Sequence, residues 1–429
     1  MSQQSGLTPS EHLRTYGRVH IVGAGPVGLF LTALLQPMEG FSVRLYEKRP
    51  EYTRTRMVKL APYLVADSVA SYLVDPIDAQ SVEAIFGVPE LDESLAFRRS
   101  IPSDLTALLH EWALGFTPLN TIERSLSDLI EARKSNPVQR TMGVVSAQDV
   151  MAMLEPGDIL IDCTGSRSLL RDHLVPGSGG MDEGANTFKI RLEYALVITF
   201  LYGQQYDCNE YCKYYKNIEN AHYKFIPAVH RTCYDGNVSH VTGIVNITAD
   251  EYEAMPAQFD GQWLRDKFPV VAQSMDGFID KVKQETHGDI LGDLEIVRIP
   301  LDLYRARNAT SRQWRTLETL DHPFASSPVF LVGDSAIGSP YFQSISLGFE
   351  CAMFLAGLIV QRNVPTLDET SDAQAIRAAS LSDLFDSYEL YMYKQWLRVY
   401  MRTRAIKHNK DLLESVDDTL ALLERLHIY

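Results

Sequence analysis

Over its first part the chain alternates short apolar runs with segments of helical period. Arg18 to Val22 (RVHIV) is compact and stops at glycines, Leu29 to Leu35 has helical character, and Ser42 to Glu47 (SVRLYE) is strand-like again. Strand, helix and strand in so short a span predict a βαβ unit. Apolar stretches of helical character follow from Pro62 to Val74 and from Leu105 to Trp112, and Asp158 to Ile161 (DILI) predicts another buried strand. From about Thr187 the texture changes to long Tyr- and Thr-rich runs, FKIRLEYALVITFLYG and HYKFIPAVHRTCYDGNVSHVTGIVNITA, broken by Gly, Asn and Asp. These predict antiparallel strands and turns. A buried strand returns at Val329 to Val332, an apolar helix follows from Leu347 to Leu358, and the remainder is amphipathic and helical. The predicted class is α/β. A disordered polar leader (1–17) precedes an α/β part (18–171), a strand-rich insertion (172–295), a second α/β part (296–365) and a C-terminal helical region (366–429).

Composition narrows the partners. With 429 residues and 45% hydrophobic content the chain can bury a large core. A formal charge of −15 without a Lys/Arg-dense block argues against nucleic acid and for a small-molecule partner. Five cysteines form no disulfide framework and match no zinc spacing, so reduced thiols in the cytoplasm are expected. The start lacks the basic-then-apolar order of a signal peptide, and no run approaches the roughly 18 apolar residues of a membrane span.

Gly23-Ala24-Gly25-Pro26-Val27-Gly28 falls between the first strand and its helix, where glycines permit a tight turn and let a diphosphate approach the helix N-terminus. Glu47 ends the second strand, where an acidic side chain hydrogen-bonds a ribose hydroxyl, and Lys48 follows it. An NAD-dependent dehydrogenase would carry the same fingerprint. The choice comes from distant segments: Val329-Phe-Leu-Val-Gly333-Asp334-Ser335 with Pro340 and Gly348-Phe-Glu350-Cys-Ala352 after it, and Asp158-Ile-Leu-Ile-Asp162-Cys163-Thr164-Gly165-Ser-Arg-Ser168-Leu-Leu-Arg171. In this order they resemble the motifs of the p-hydroxybenzoate hydroxylase-like, FAD-dependent aromatic hydroxylases. The stretch from Glu47 through Arg54 and Arg56 is similar to kynurenine 3-monooxygenases and the monooxygenase domain of MICAL proteins.

The resemblance implies a split Rossmann-like FAD-binding domain with an inserted antiparallel-sheet substrate domain over the flavin. FAD would be held by Gly23, Gly25, Gly28, Glu47, Lys48, Arg54 or Arg56, Arg124, Gly165, Gly333 and Asp334, with Ser344 and Ile345 filling the space beside the flavin. It implies NAD(P)H as co-substrate and a monooxygenase acting on a small aromatic or unsaturated metabolite through a flavin hydroperoxide. The chain contains no second glycine fingerprint, as that arrangement requires. No catalytic acid or base is fixed by motif.

Two departures stand out. The family's Asp-Gly pair is Thr164-Gly165 here, and Pro340-Tyr-Phe-Gln-Ser344-Ile345-Ser-Leu-Gly348 lacks two glycines of the family's loop and is one residue shorter. They admit a second class, a non-redox polyene or Diels-Alder cyclase with FAD as scaffold and the reactive conformer held in an apolar cavity, and a third, a flavin-binding protein without catalysis. The plainer readings are that Tyr202, Tyr206, Tyr211, Tyr214, Tyr215 and Tyr223 serve the strands rather than a substrate pocket, that His222 and His230 are structural, that Cys208 and Cys212 are ordinary thiols, and that Tyr391, Trp396 and Tyr400 pack.

Overall fold

The computed structural model describes residues 18–38, 41–54, 56–65, 101–176, 186–203, 215–217, 220–232, 238–316, 321–339, 344–362, 381–405 and 407–408. The leader, the end of the stretch from Pro62 to Val74, Tyr206, Tyr211, Tyr214, Cys208, Cys212 and Pro340 to Gln343 lie outside these residues.

The strands are, in chain order, β1 (Arg18–Val22), β2 (Ser42–Glu47), β3 (Met57–Lys59), β4 (Phe116–Pro118), β5 (Gln139–Met142), β6 (Ile159–Asp162), β7 (Thr187–Tyr202), β8 (Tyr215–Asn217), β9 (Asn220–Thr232), β10 (Val238–Ile247), β11 (Ile290–Ala306), β12 (Val329–Leu331) and β13 (Ile337–Gly338). Five of them form a parallel sheet in the order β12-β6-β1-β2-β5. The chain works outward from β1 to β2 and β5, then returns across β1 to lay down β6 and β12. The order therefore reverses between β1 and β6, the point at which open α/β sheets take their ligands, beyond the carboxyl ends of the strands. Every residue of β6 and β12 is buried, and so are four of the five in β1, as a sheet covered on both faces demands. At the edge, β5 (QRTM) is polar and mostly exposed.

The crossover helix Pro26–Leu35 starts with proline in its first turn and buries Gly28 through Leu35. It packs between helices Leu119–Ala132 and Ser344–Arg362, with Phe30 stacked on Phe349 at 4.2 Å. A helix at 381–405 closes the same core. Its Tyr388 hydroxyl donates to the Leu331 carbonyl (2.8 Å), its Glu389 carboxylate accepts from the amides of Ala309 and Thr310, and its buried Arg398 is bidentate to buried Glu350. Tyr391, Trp396 and Tyr400 pack there, as their helical spacing suggests.

The second sheet is antiparallel, in the order β13-β11-β7-β10-β9-β8. It has its own core: Leu196, Ile198, Phe200 and Tyr202 of β7 meet Val271, Met275, Phe278 and Ile279 of helix Pro269–Thr286. Two observations refine the expected boundaries. The antiparallel sheet runs through β11 to Ala306, across the expected division at 295/296, and the insertion holds three helices (Ala249–Ala254, Gly261–Lys267 and Pro269–Thr286) besides its strands. Tyr202 is fully buried in this core, and the Tyr223 hydroxyl donates to Glu251. Among the described residues no helix is long and apolar enough to cross a membrane, and no cluster of side chains suits a metal.

Candidate functional site

A cleft of about 570 Å³ opens at the carboxyl ends of β1, β2, β6 and β12. Its floor is the glycine turn. Gly23 has φ +96°, and a Cβ there would lie 2.6 Å from the Cys163 carbonyl oxygen; one on Gly28 would lie 1.9 Å from the Gly23 carbonyl oxygen. No side chain fits either place, so the turn, the first helical turn and the loop after β6 press backbone on backbone. Gly25 is the N-cap of helix Pro26–Leu35 and supplies no capping side chain, which leaves the N-terminal amides facing the cleft. Gly333, with φ +65°, makes the corresponding turn after β12, over Val27.

Cations crowd the cleft in a chain whose overall charge is negative. Lys48, Arg49, Arg54, Arg56 and Arg167 line the cleft, against the carboxylates of Glu47 and Asp334. Glu47, at the end of β2, is buried, and its Oε1 accepts from the Arg49 amide (2.9 Å) and Nε (3.1 Å). Behind Arg49 and Arg54 stands Glu123 of helix Leu119–Ala132, which accepts from both. Burial pushes the Asp334 carboxyl up to about 6, against the pull of Arg56 and Arg54. Burial likewise lowers the Arg56 guanidinium, which Asp334 partly offsets. The Asp334 carbonyl accepts from the Tyr304 hydroxyl of β11 at 2.7 Å.

The loop after β6 is organised by Asp162, whose carboxylate accepts from the Thr164 amide (2.8 Å) and hydroxyl (2.6 Å), the Ser168 hydroxyl (2.6 Å), the Leu170 amide (2.8 Å) and the Ser335 hydroxyl (3.3 Å). This buried acid ties the loop after β6 to the turn after β12, the two loops on the far side of the strand reversal. The Thr164 hydroxyl is directed back at Asp162, and Gly165 lines the cleft with φ +86°.

Of the residues singled out from the sequence, Gly23, Gly25, Glu47, Lys48, Arg54, Arg56, Gly165, Asp334, Ser344 and Ile345 converge on this cleft, and Gly28 and Gly333 shape the turns beneath it. Arg124 does not join them. It is exposed on helix Leu119–Ala132 and donates to the Tyr52 carbonyl (3.1 Å), because the face turned inward carries its neighbour Glu123. Asp158, part of the motif that led to Gly165, sits at the opposite end of β6. It is buried under the amides of Arg18 and Glu155 and the His20 ring. Sequence reasoning missed Arg49, Arg167 and Glu123. Glu123 carries a visible signal, since it interrupts the buried stripe Leu119, Ile122, Leu126 and Ile130 with a charge.

No family model matches the chain, and no curated protein is similar to it in sequence. Solved structures are similar in outline. A tetrameric form of 2-methyl-3-hydroxypyridine-5-carboxylic acid oxygenase is 14% identical over 96% of each chain, with a TM-score of 0.47. The flavin-dependent halogenase CmlS is 14% identical over 95% of this chain and 72% of its own (0.45), and the Diels-Alderase PyrE3 is 14% identical over 95% and 78% (0.46).

The chemistry of the cleft follows from its parts. Helix N-terminal amides with two adjacent guanidiniums suit a diphosphate. A strand-end carboxylate suits vicinal hydroxyls, and a second carboxylate at the far end suits a polyol or another hydroxyl-bearing group. Together they suit a ligand that carries both a diphosphate and hydroxyl groups.

Proposed function

We propose that the protein binds FAD along this cleft and is a flavoprotein monooxygenase that uses NAD(P)H and acts on a small aromatic or unsaturated metabolite. The observation that carries the reading is the convergence, at the strand-order reversal, of the Gly23–Gly28 turn, Glu47 and the Gly333–Asp334 turn. Gly25 and the helix amides, with Arg49 and Arg54, would take the diphosphate; Glu47 the ribose of the adenosine; Asp334 a ribityl hydroxyl, for which its carboxyl is held among buried groups near Arg56. The absence of a Cβ at Gly25, whose place would lie 3.6 Å from Arg54 and 3.9 Å from Arg49, is what the close approach of a diphosphate requires, while Gly23 and Gly28 permit the turn and the helix packing beneath it. Bound there, FAD would supply hydride acceptance from NAD(P)H and transfer of one oxygen atom from O2 to the substrate. The chain's part is orientation and exclusion of water, with Val58, Val332 and Ile345 as the apolar lining.

The test is whether the purified protein carries flavin and oxidises NADPH faster when aromatic or polyene compounds are added under air. A colourless protein that cannot be loaded with FAD would overturn the reading. One observation favours a second reading, FAD as scaffold for a non-redox cyclisation. Where the resemblance puts an aspartate, Thr164 turns its hydroxyl to Asp162, so that wall presents no carboxylate, and the side chains of Ser344 and Ile345 occupy the cleft beside it. Conversion of substrate without nicotinamide and without oxygen would select that reading.

A further inference from the structure

We propose that Glu123 is a positioning residue that holds Arg49 and Arg54 together as a two-guanidinium clamp on the ligand's diphosphate, an inference that rests on the dinucleotide reading of the cleft. Glu123 is fully buried, and its Oε1 accepts from Arg54 Nη2 and, at 3.4 Å, from Arg49 Nη2. The same two Nη2 atoms lie 3.6 Å (Arg54) and 3.9 Å (Arg49) from the position a Cβ on Gly25 would take, beside the N-terminus of helix Pro26–Leu35. Its Oε2, equally buried, has no hydrogen-bond partner among the described residues. A carboxylate buried at this cost and spent on one oxygen serves to hold the two cations.

Two guanidiniums repel each other, and each is mounted on a long, mobile stem; the side chains of Arg49 and Arg54 are 28% and 44% exposed. Left to themselves they would spread into the cleft and have to be gathered when an anion binds, which costs ordering entropy. A single buried acceptor between them keeps both forks at one end of the cleft beforehand. Arg49 is held a second time by Glu47, so the clamp also connects the diphosphate end to the ribose end.

Positioning and simple charge balance predict opposite signs. Glu123→Gln removes a negative charge next to the anion site and would strengthen anion binding if Glu123 were only a counter-charge. If it positions the arginines, the same change weakens binding. The experiment uses flavin-free full-length protein, FAD titration read by flavin fluorescence, and ADP and adenosine titrated directly by calorimetry. Glu123→Gln should weaken FAD and ADP by about 10- to 100-fold, the range of a lost charge-assisted hydrogen bond, and leave adenosine within about two-fold. Glu123→Asp should fall between. In an Arg54→Gln background Glu123→Gln should add less than about two-fold. Equal or tighter ADP binding in Glu123→Gln, or an equal loss for adenosine, overturns the proposal; should that variant not fold, Glu123→Asp decides by the same ADP-to-adenosine comparison. Wild-type protein that binds ADP but not FAD overturns the flavin reading while the ADP series still judges Glu123. Wild type that binds neither overturns both.

Discussion

In the parallel sheet the tightest glycines press backbone against backbone; in the antiparallel sheet they make room for rings. Gly28 meets the carbonyl of Gly23, whereas a Cβ on Gly243 would lie 1.9 Å from the Phe225 ring, and one on Gly338 at the same distance from the Tyr304 ring. The first arrangement gathers amides and carbonyls at strand ends, where a ligand can use them. The second fills the sheet's packing, with Phe225 buried against Phe278 of helix Pro269–Thr286. The cleft therefore belongs to the parallel sheet and the turns around it, and among the described residues that line it none comes from the six-stranded antiparallel sheet. Among the links between the two are β13, paired with β11, the Tyr304 bond to Asp334, and Leu303 and Ala306 of β11, which are buried in the core of the parallel-sheet part.

The comparison can be broken by substitution. The largest effect is expected from Arg398→Met, which leaves Glu350 charged, buried and deprived of its bidentate partner. A loss of about 3–5 kcal/mol should appear in urea denaturation. Next, Gly28→Ala should lower stability by about 3 kcal/mol and abolish flavin retention, because backbone cannot step aside. Gly243→Ala, whose obstacle is a side chain, should cost about 1–2 kcal/mol and leave retention intact. Similar losses of flavin from both glycine variants would erase the distinction between the sheets.

Asp334 gives a pH signature confined to the parallel side. Its folded-state value of about 6 lies above the ordinary 3.8, so between these values the folded chain holds a proton that the unfolded chain has released. Stability of flavin-free protein should fall as pH rises across that window and stay lowered above it. Asp334→Asn should remove the slope, gain up to about 3 kcal/mol at pH 7.5, and still bind FAD less well. The smallest effect belongs to the antiparallel side. Thr248 and Glu251 form a capping box on helix Ala249–Ala254, and Thr248→Ala should lose about 0.5–1 kcal/mol without touching flavin affinity.

Much of the parallel sheet was legible because its central strands are buried on both faces and its turns need glycine; β1, β6 and β12 read as apolar runs, and β2 as the strand that completes a βαβ unit. The polar edge strand β5 gave no such pattern, nor did the three-residue β3 and β4. Helix Pro269–Thr286 was readable, since Val271, Ala272, Met275, Phe278, Ile279 and Val282 recur at helical spacing, but the Tyr- and Thr-rich runs around it directed attention to strands. At the site, backbone-determined residues such as Gly23 and Gly165 follow from local sequence. Arg49 and Glu123 do not, since their meeting depends on how helix Leu119–Ala132 lies beneath the loop after β2. Arg124 is the reverse case, a motif position outside the lining of the cleft and one residue from the side chain the fold turns inward.

The helix at 381–405 has a bearing on biosynthesis. It supplies the partners of Glu350, the acceptor for the amides of Ala309 and Thr310, and a cover for Phe330 through Phe385 and Tyr388. A nascent chain halted before residue 381 would already hold the residues of all five parallel strands, yet Glu350 would lack its arginine and the Phe330 ring the cover of Phe385 and Tyr388. Until this helix is made, that uncovered apolar surface is open to association with other chains.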